Sequence, residues 1–219
     1  VRYDLLNRLL SFGLDIGWRK RLSRYFPEKD SIRYLDLATG TGDVIILMKK
    51  ALKNRIARAT GIDMAEQMLK IGRQKIKAKK LDTVVSLEIG DAMSIPFESN
   101  SFDVTTIAFG IRNVEYLPDA LKEMHRVLDK NGKTLILEFS FPNNKLLKAG
   151  YLFYLRRIMP EIGGIISGDK RAYKYLNRTI ESFPYGDEFL DYMKSAGFTQ
   201  LKQYKLLFGV ASIYEGVKG

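Results

Sequence analysis

Three acidic residues, Asp36, Asp63 and Asp91, each end a short apolar run, and the first leads directly into the glycine turn Leu37-Ala38-Thr39-Gly40-Thr41-Gly42-Asp43. A turn carrying Gly40 and Gly42 brings bare backbone close to a ligand, because glycine adopts positive φ freely and has no side chain to obstruct the approach. Acids gathered around such a turn call for a ligand that carries positive charge. A phosphate-bearing dinucleotide does not fit this pattern. Its fingerprint requires a third small residue where Ile45 stands, and Asp43 would set an anion against the pyrophosphate.

S-adenosylmethionine has no phosphate and carries a sulfonium and an ammonium cation, so it matches where a dinucleotide fails. Asp36 or Asp43 would face these cations, directly or through water. Asp63 would accept hydrogen bonds from both ribose hydroxyls, and Asp91 one from the adenine amino group. Met64 and Ala92 would flank the adenine, with Thr39, Gly40, Thr41 and Gly42 forming the turn itself. The competing reading is that strand-end acids cap helices, a role open to Asp43 and Asp63.

The elements that position these residues follow from hydrophobic periodicity. Residues 3 to 26 carry apolar side chains at helical spacing (Leu5, Leu6, Leu9, Leu10, Ile16, Trp18), broken near Gly13, which predicts a helical cover over residues 1–26. Ile32 to Leu37 reads as a buried strand, and the glycine turn opens a helix through about Leu52. Ala59 to Asp63 and Val84 to Ile89 are strands separated by a helix from Met64 to Lys80, whose Met68, Leu69 and Ile76 face inward. Phe102 to Ala108 is a fourth strand, Pro118 to Leu128 a helix, and Asn131-Gly132 a turn into strand Thr134 to Phe139. Gln200 to Leu207 and Val210 to Val217 form an antiparallel hairpin about Phe208-Gly209. Between lies an insertion, residues 141–186, rich in Tyr and Phe and punctuated by Gly163-Gly164 and Gly168. Alternating strands and helices imply a parallel sheet with helices on both faces, and its ligand lies beyond the carboxyl ends of the strands, where all three acids fall.

With 46% hydrophobic and 28% charged residues among 219, the chain reads as one globular domain spanning residues 1–219. No apolar run approaches the roughly 20 residues that cross a bilayer. The absence of cysteine removes disulfides, thiolate nucleophiles and cysteine-based zinc sites, and a single His leaves no His-rich metal site, so no metal is expected. No secretory signal opens the sequence, which reads as cytoplasmic, and a start at Val1 points to residues upstream. The net charge of +11 is compatible with nucleic acid, an anionic membrane or plain solubility. The basic clusters, Arg19-Lys20-Arg21, Lys77 with Lys79-Lys80, and Arg156-Arg157, are small and dispersed, as on a solvated surface.

Further segments complete the pattern: Tyr3-Asp4-Leu5-Leu6-Asn7, Gly72-Arg73, Pro96-Phe97, Phe109-Gly110-Ile111-Arg112-Asn113, Leu137-Glu138-Phe139-Ser140, and Asp169 through Tyr175 to Leu176. With Leu35 to Asp43 they make the chain resemble, from end to end, the quinone C-methyltransferase family of ubiquinone and menaquinone biosynthesis. The resemblance implies an α/β, Rossmann-like class I S-adenosylmethionine-dependent methyltransferase. Its sheet would be seven-stranded and mostly parallel, with a C-terminal antiparallel hairpin and an inserted helical lid over the substrate. It also implies methyl transfer to a ring carbon of a prenylated hydroquinone, demethylmenaquinol or the methoxybenzoquinol of the ubiquinone route, leaving S-adenosylhomocysteine. By position, Thr41, Asp63, Asp91 and Ala92 match the family's cofactor contacts. Ala108 stands where a serine contact is common, and Tyr214 where the family often has His. The family extends upstream of Val1, so a site left open on that side is expected.

A ring carbon attacks the sulfonium methyl when an adjacent hydroxyl feeds it electron density, and ionising that hydroxyl helps. From a phenol-like pKa of about 10, ionisation at neutral pH costs roughly 4 kcal/mol. A nearby cation lowers such a pKa by about 1–3 units. Arg112 is the electrostatic candidate, polarising the hydroxyl or a water, while Asn113 orients the same oxygen and Tyr3 closes the pocket. The structural alternative for Arg112 is a loop-anchoring ion pair with Glu115. Phe109, Ile111, Tyr151, Phe153, Tyr154, Ile158, Met159 and Tyr173 are candidates to line an apolar channel for the prenyl tail, or else to pack helices. His125 is expected on a helix away from the strand ends, solvated or capping. Lys145, Lys148, Arg156 and Arg157 would meet anionic lipid heads, each adding about 1 kcal/mol. A homodimer is the expected assembly. Two rival functions are an RNA methyltransferase and a non-catalytic cofactor-binding scaffold of a quinone-synthesis complex. The first lacks an Asn-Pro-Pro-Tyr or Asp-Pro-Pro-Tyr segment and an attacking Cys. The second is opposed by Arg112 and Asn113 standing beside a full cofactor motif.

Overall fold

The computed structural model describes residues 13–161 and 177–219, together with Arg8, Leu10 and Ser11. Tyr3, Tyr173, the Tyr3–Asn7 and Asp169–Leu176 segments, and Gly163, Gly164 and Gly168 lie outside the described residues. Seven strands form one sheet: β1 (Ile32–Leu37), β2 (Ile56–Asp63), β3 (Val85–Ile89), β4 (Phe102–Ala108), β5 (Leu128–Phe139), β6 (Phe198–Leu206) and β7 (Ala211–Lys218). Their order is β3-β2-β1-β4-β5-β7-β6. The first five strands are parallel, whereas β7 runs antiparallel between β5 and β6. The order reverses between β1 and β4, the switch point beyond which such sheets bind ligands.

Successive side chains of a strand point to opposite faces, so each face has its own core. Tyr34, Val104, Leu135 and Leu137 pack with α1 (Asp15–Arg21), α2 (Asp43–Leu52) and α3 (Glu66–Ala78) through Trp18, Val44, Ile45, Met48, Leu69 and Ile76. Leu35, Leu37, Ile107 and Ile136 pack instead with α4 (Leu117–Val127) and α6 (Asp187–Ser195) through Leu121, Met124, Phe189 and Met193. Asp36 has the parity of Tyr34, which directs it to the face that α1 and α2 cover.

The chain departs from the periodicity in three places. The Asn131-Gly132 turn is absorbed into β5: pairing jumps from Phe102–Leu128 to Val104–Lys133, and Asn131 takes up the extra chain at φ 61°. β2 begins at Ile56 because its first residues pair with β1 although Arg58 is exposed, so they lack the apolar run that marks a buried strand. His125 is not solvated and bonds the backbone of Gly197, just past the end of α6. It is half-buried, edge-on to Phe198 with ring centroids 5.1 Å apart, and desolvation chiefly lowers its pKa. Tyr214 is fully buried against Phe189 and accepts a hydrogen bond from the Gly186 amide at 2.9 Å.

Of the insertion, α5 (Lys145–Phe153) continues into a π-helical turn, Tyr154–Ile158, and residues 177–182 are helical. Asn144 caps α5 by accepting from the Leu146 and Leu147 amides. Among the described residues no helix is long and apolar enough to cross a membrane.

Candidate active site

A cavity of about 700 Å³ opens at the carboxyl ends of β1, β2, β3 and β4. Ligand-sized cavities at this place in open α/β sheets are typically of this volume. Ten of the eleven expected cofactor residues line it: Asp36, Thr39, Gly40, Thr41, Asp43, Asp63, Met64, Asp91, Ala92 and Ala108. Gly42 stands behind the turn, where φ is 74° and an added Cβ would meet Leu87 and Ile76. This left-handed residue is the N-cap of α2 and lets the chain leave β1 and enter the helix within a single tight turn.

Each acid is fixed differently. β1 and β4 pair Asp36 with Thr106, so the Thr106 hydroxyl donates to Asp36 Oδ1, Thr39 Oγ1 donates to Oδ2 at 2.6 Å, and the Tyr34 hydroxyl lies 3.3 Å from Oδ1. Burial pushes the Asp36 carboxyl up to about 6, although those hydroxyls and the field of Arg19 favour its ionised form. Asp63 uses one oxygen to accept from the Gly40 amide and the other from the Ala65 amide, both at 2.8 Å. It thus ties the glycine turn to the start of α3 and retains lone pairs on both oxygens. Asp91 accepts from the Met93 amide at 2.9 Å.

Asp43 is already engaged. Lys75 of α3 reaches its Oδ1 at 2.9 Å and the Thr41 hydroxyl at 2.7 Å. Among the described residues Asp36, by contrast, is held by hydroxyls and makes no ion pair, so of the two it is the acid placed to meet a cation.

The Phe109–Asn113 segment leaves β4 in a strained conformation. Phe109 has φ 58° and Ala38, across from it at the end of β1, φ 47°. Left-handed backbone at two non-glycine residues is uncommon and tends to cluster at ligand sites. Gly110 permits the approach: a Cβ there would lie 2.6 Å from the Cβ of Ala38. Phe109 and Asn113 line the cavity, whereas Ile111 is buried beneath α4.

Arg112 does not line the cavity. Its Nη1 donates to Glu138 Oε1 at 2.6 Å and to the Phe109 carbonyl at 2.8 Å, with both charged side chains fully buried. The anchoring partner is therefore Glu138, on the adjoining strand, and not Glu115, which lines the cavity. Burial raises the Glu138 carboxyl against the opposing field of Arg112. The Phe-Gly-Ile-Arg-Asn and Leu-Glu-Phe-Ser segments, distant in sequence, thus interlock through this pair and through Phe109 against Phe139, whose ring centroids are 4.7 Å apart.

Tyr151 is buried, 6.3 Å from the roughly parallel ring of Tyr154, and its hydroxyl has no hydrogen-bond partner among the described residues. Phe153 and Ile158 are exposed, whereas Met159 is buried in the core. Periodicity did not single out Arg19, Met68 or Glu115 as cavity residues. For Arg19 a signal existed in its i,i+4 spacing from Asp15, obscured by the adjacent Lys20 and Arg21 that made the cluster look solvated.

The model of the ubiE/COQ5 methyltransferase family matches residues 1–218. The chain belongs to that family. The demethylmenaquinone methyltransferase of Thermus thermophilus is 44% identical over 216 residues, 98% of this chain and 96% of its own. The ubiquinone/menaquinone biosynthesis C-methyltransferase of Geotalea uraniireducens is 42% identical over 217 residues, 99% of this chain and 92% of its own. The solved structure of a SAM-dependent methyltransferase from Aquifex aeolicus agrees with TM-score 0.68 at 16% identity, over 94% of this chain and 92% of that one, a likeness of fold. As a ubiE/COQ5 methyltransferase the chain is an enzyme whose methyl donor is S-adenosylmethionine. The donor set fits that molecule: acids at three strand ends, an Asp36 carboxylate for cations, and no phosphate-binding arrangement at the turn.

Proposed function

We propose that this chain transfers the methyl group of S-adenosylmethionine to a ring carbon of a prenylated hydroquinone, demethylmenaquinol or the methoxybenzoquinol of the ubiquinone route. The observation that carries this reading is the interlock of Arg112 with Glu138, which holds the Phe109–Asn113 segment so that Phe109 and Asn113 face the cavity. Asp63 would hold the ribose hydroxyls, Asp91 the adenine amino group, and Asp36 the cationic end, with Met64 and Ala92 beside the adenine. Two relatives bear names that specify quinone methylation, and the match to each extends over nearly the whole chain.

In the reaction the ring carbon displaces the cofactor's sulfur from the methyl carbon. A carbon–carbon bond forms as the carbon–sulfur bond breaks, and the ring proton is then lost. Holding the three atoms in line is the main requirement. Asn113 is the group that orients the acceptor hydroxyl or an intervening water, and Glu115 is the cavity carboxylate available to take the hydroxyl proton. Arg112, neutralised by Glu138 at 2.6 Å, exerts a weak net field at the acceptor, so its role is to position this loop. Tyr3 and the amino-terminal cover, residues 1–26, would close the pocket. The insertion, residues 141–186, would form the substrate lid, with Tyr151, Tyr154 and Tyr173 along the tail.

Because the acceptor dissolves in lipid, peripheral contact with an anionic membrane belongs to the same proposal. Leu146 on α5 is 81% exposed and Phe208, at the β6–β7 turn, 80%. Gly209 packs on Pro142, which places that turn beside the start of α5. Lys145 flanks this apolar rim, while Lys148 is drawn to the Tyr185 hydroxyl at 2.8 Å and Arg156 to Glu181 at 2.6 Å. Cosedimentation with liposomes tests the contact, and binding indifferent to anionic lipid would remove it. The expected homodimer is read by sedimentation equilibrium.

Methyl transfer from labelled S-adenosylmethionine to reduced demethylmenaquinol and to the methoxybenzoquinol, side by side, tests the central reading. Asn113→Ala should lower kcat by roughly 100-fold, the scale expected when an acceptor is misplaced, with cofactor affinity retained. Cofactor binding without turnover of either quinol would overturn it in favour of a non-catalytic scaffold.

A further inference from the structure

Arg19 is the only base among the described residues that line the cavity, against the acids Asp36, Asp43, Asp63, Asp91 and Glu115. It comes from α1, in the amino-terminal cover, and is 8% exposed. Its Nη2 lies 3.9 Å from Asp15 Oδ2, and its Cζ stands over the Phe109 ring, 5.6 Å from the centroid. Phe109 follows the end of β4, the strand whose Thr106 donates to Asp36. The field of Arg19 is felt at Asp36. An acid and a base therefore share the part of the cavity at β1 and β4, while Asp63 and Asp91 stand at the carboxyl ends of β2 and β3.

The methionine part of the cofactor is a zwitterion, with an ammonium and a carboxylate on one carbon. We propose that Arg19 binds the carboxylate of that amino acid group, opposite the ammonium that Asp36 faces, and so completes a charge-complementary clamp for the methionine end of S-adenosylmethionine. This rests on the cavity being the cofactor site. A guanidinium suits the role because it presents paired donors to both carboxylate oxygens and stays charged. The clamp makes the cover a part of the cofactor site and lets the enzyme tell the whole cofactor from a nucleoside lacking the amino acid.

Isothermal titration with S-adenosylhomocysteine and with 5′-methylthioadenosine, which has the same adenosine and sulfur but no amino acid, separates this contact from general integrity. Arg19→Met, which keeps the bulk over Phe109, should weaken S-adenosylhomocysteine binding by about 10- to 100-fold, the range for a lost charged hydrogen bond. Its affinity for methylthioadenosine should stay within about 2-fold, and Arg19→Lys should restore part of the loss. An unchanged S-adenosylhomocysteine affinity in Arg19→Met overturns the assignment, as does an equal loss for both ligands, which would mark a structural role. Wild-type protein that binds neither ligand would overturn the cofactor-site reading along with it.

Discussion

Glu138 should be among the costliest single positions to neutralise, for a reason that the geometry makes quantitative. Its Oε1 accepts from Arg112 Nη1 at 2.6 Å and from the Phe139 amide at 2.9 Å, with both charged side chains fully buried. Glu138→Gln keeps an oxygen for the Phe139 amide but leaves the Arg112 guanidinium buried without its counter-charge. Removing one partner from such a pair costs about 3–5 kcal/mol, a large part of the 5–15 kcal/mol that keeps a domain folded. Arg112→Met should cost a similar amount by stranding the carboxylate. The double variant, with no net buried charge, should cost several kcal/mol less than the sum, the coupling expected of groups in direct contact. Equilibrium urea denaturation of the four proteins yields the cycle. The double variant should retain cofactor binding yet lose turnover, because the Phe109–Asn113 loop is no longer pinned to β5. The reasoning fails if Glu138→Gln lies within about 1 kcal/mol of wild type, or if the two single losses simply add.

Three other perturbations have signs fixed by the structure. Burial raises Asp36 from 3.8 to about 6, so its contribution favours the fold below pH 4 and is lost as pH rises through 6. Asp36→Asn should therefore remove a falling limb worth about 3 kcal/mol from the stability-versus-pH curve, measured by urea midpoints from pH 4 to 8. A cationic ligand favours ionised Asp36, so S-adenosylhomocysteine affinity should increase between pH 5 and 7, bend near 6, and flatten in Asp36→Asn. Gly110→Ala would set a methyl 2.6 Å from the Ala38 Cβ and should cost about 1–3 kcal/mol in urea, with weaker cofactor binding by titration. Asp63→Ala removes the acceptor of the Gly40 and Ala65 amides, and should cost about 1–2 kcal/mol of stability as well as cofactor affinity, read by the same two measurements.

The sheet was legible because β1, β3 and β4 are short apolar runs bounded by turns, and because Asp36, Asp63 and Asp91 each stand at or just beyond the end of a strand, which local periodicity reveals. The glycine turn was legible for a related reason: its chemistry is confined to a few consecutive residues. The boundary of β2 and the path of β5 were not, since Arg58 is an exposed residue in a paired strand and Asn131-Gly132 has the composition of a turn while serving as a bulge. At the site, what escaped is what depends on two distant segments. For Arg112 the sequence offered Glu115 as the partner, and only the strand order, which lays β5 beside β4, selects Glu138 over that sequence neighbour. Arg19 escaped because nothing local separates it from Lys20 and Arg21; the difference is that α1 packs on α2 and turns that one residue toward the strand ends, while Lys20 and Arg21 remain in solvent. Charge in a sequence is a composition until the fold decides which members of a cluster lose their water, and in this chain that decision converts one residue of a basic run into the counterpart of a buried aspartate.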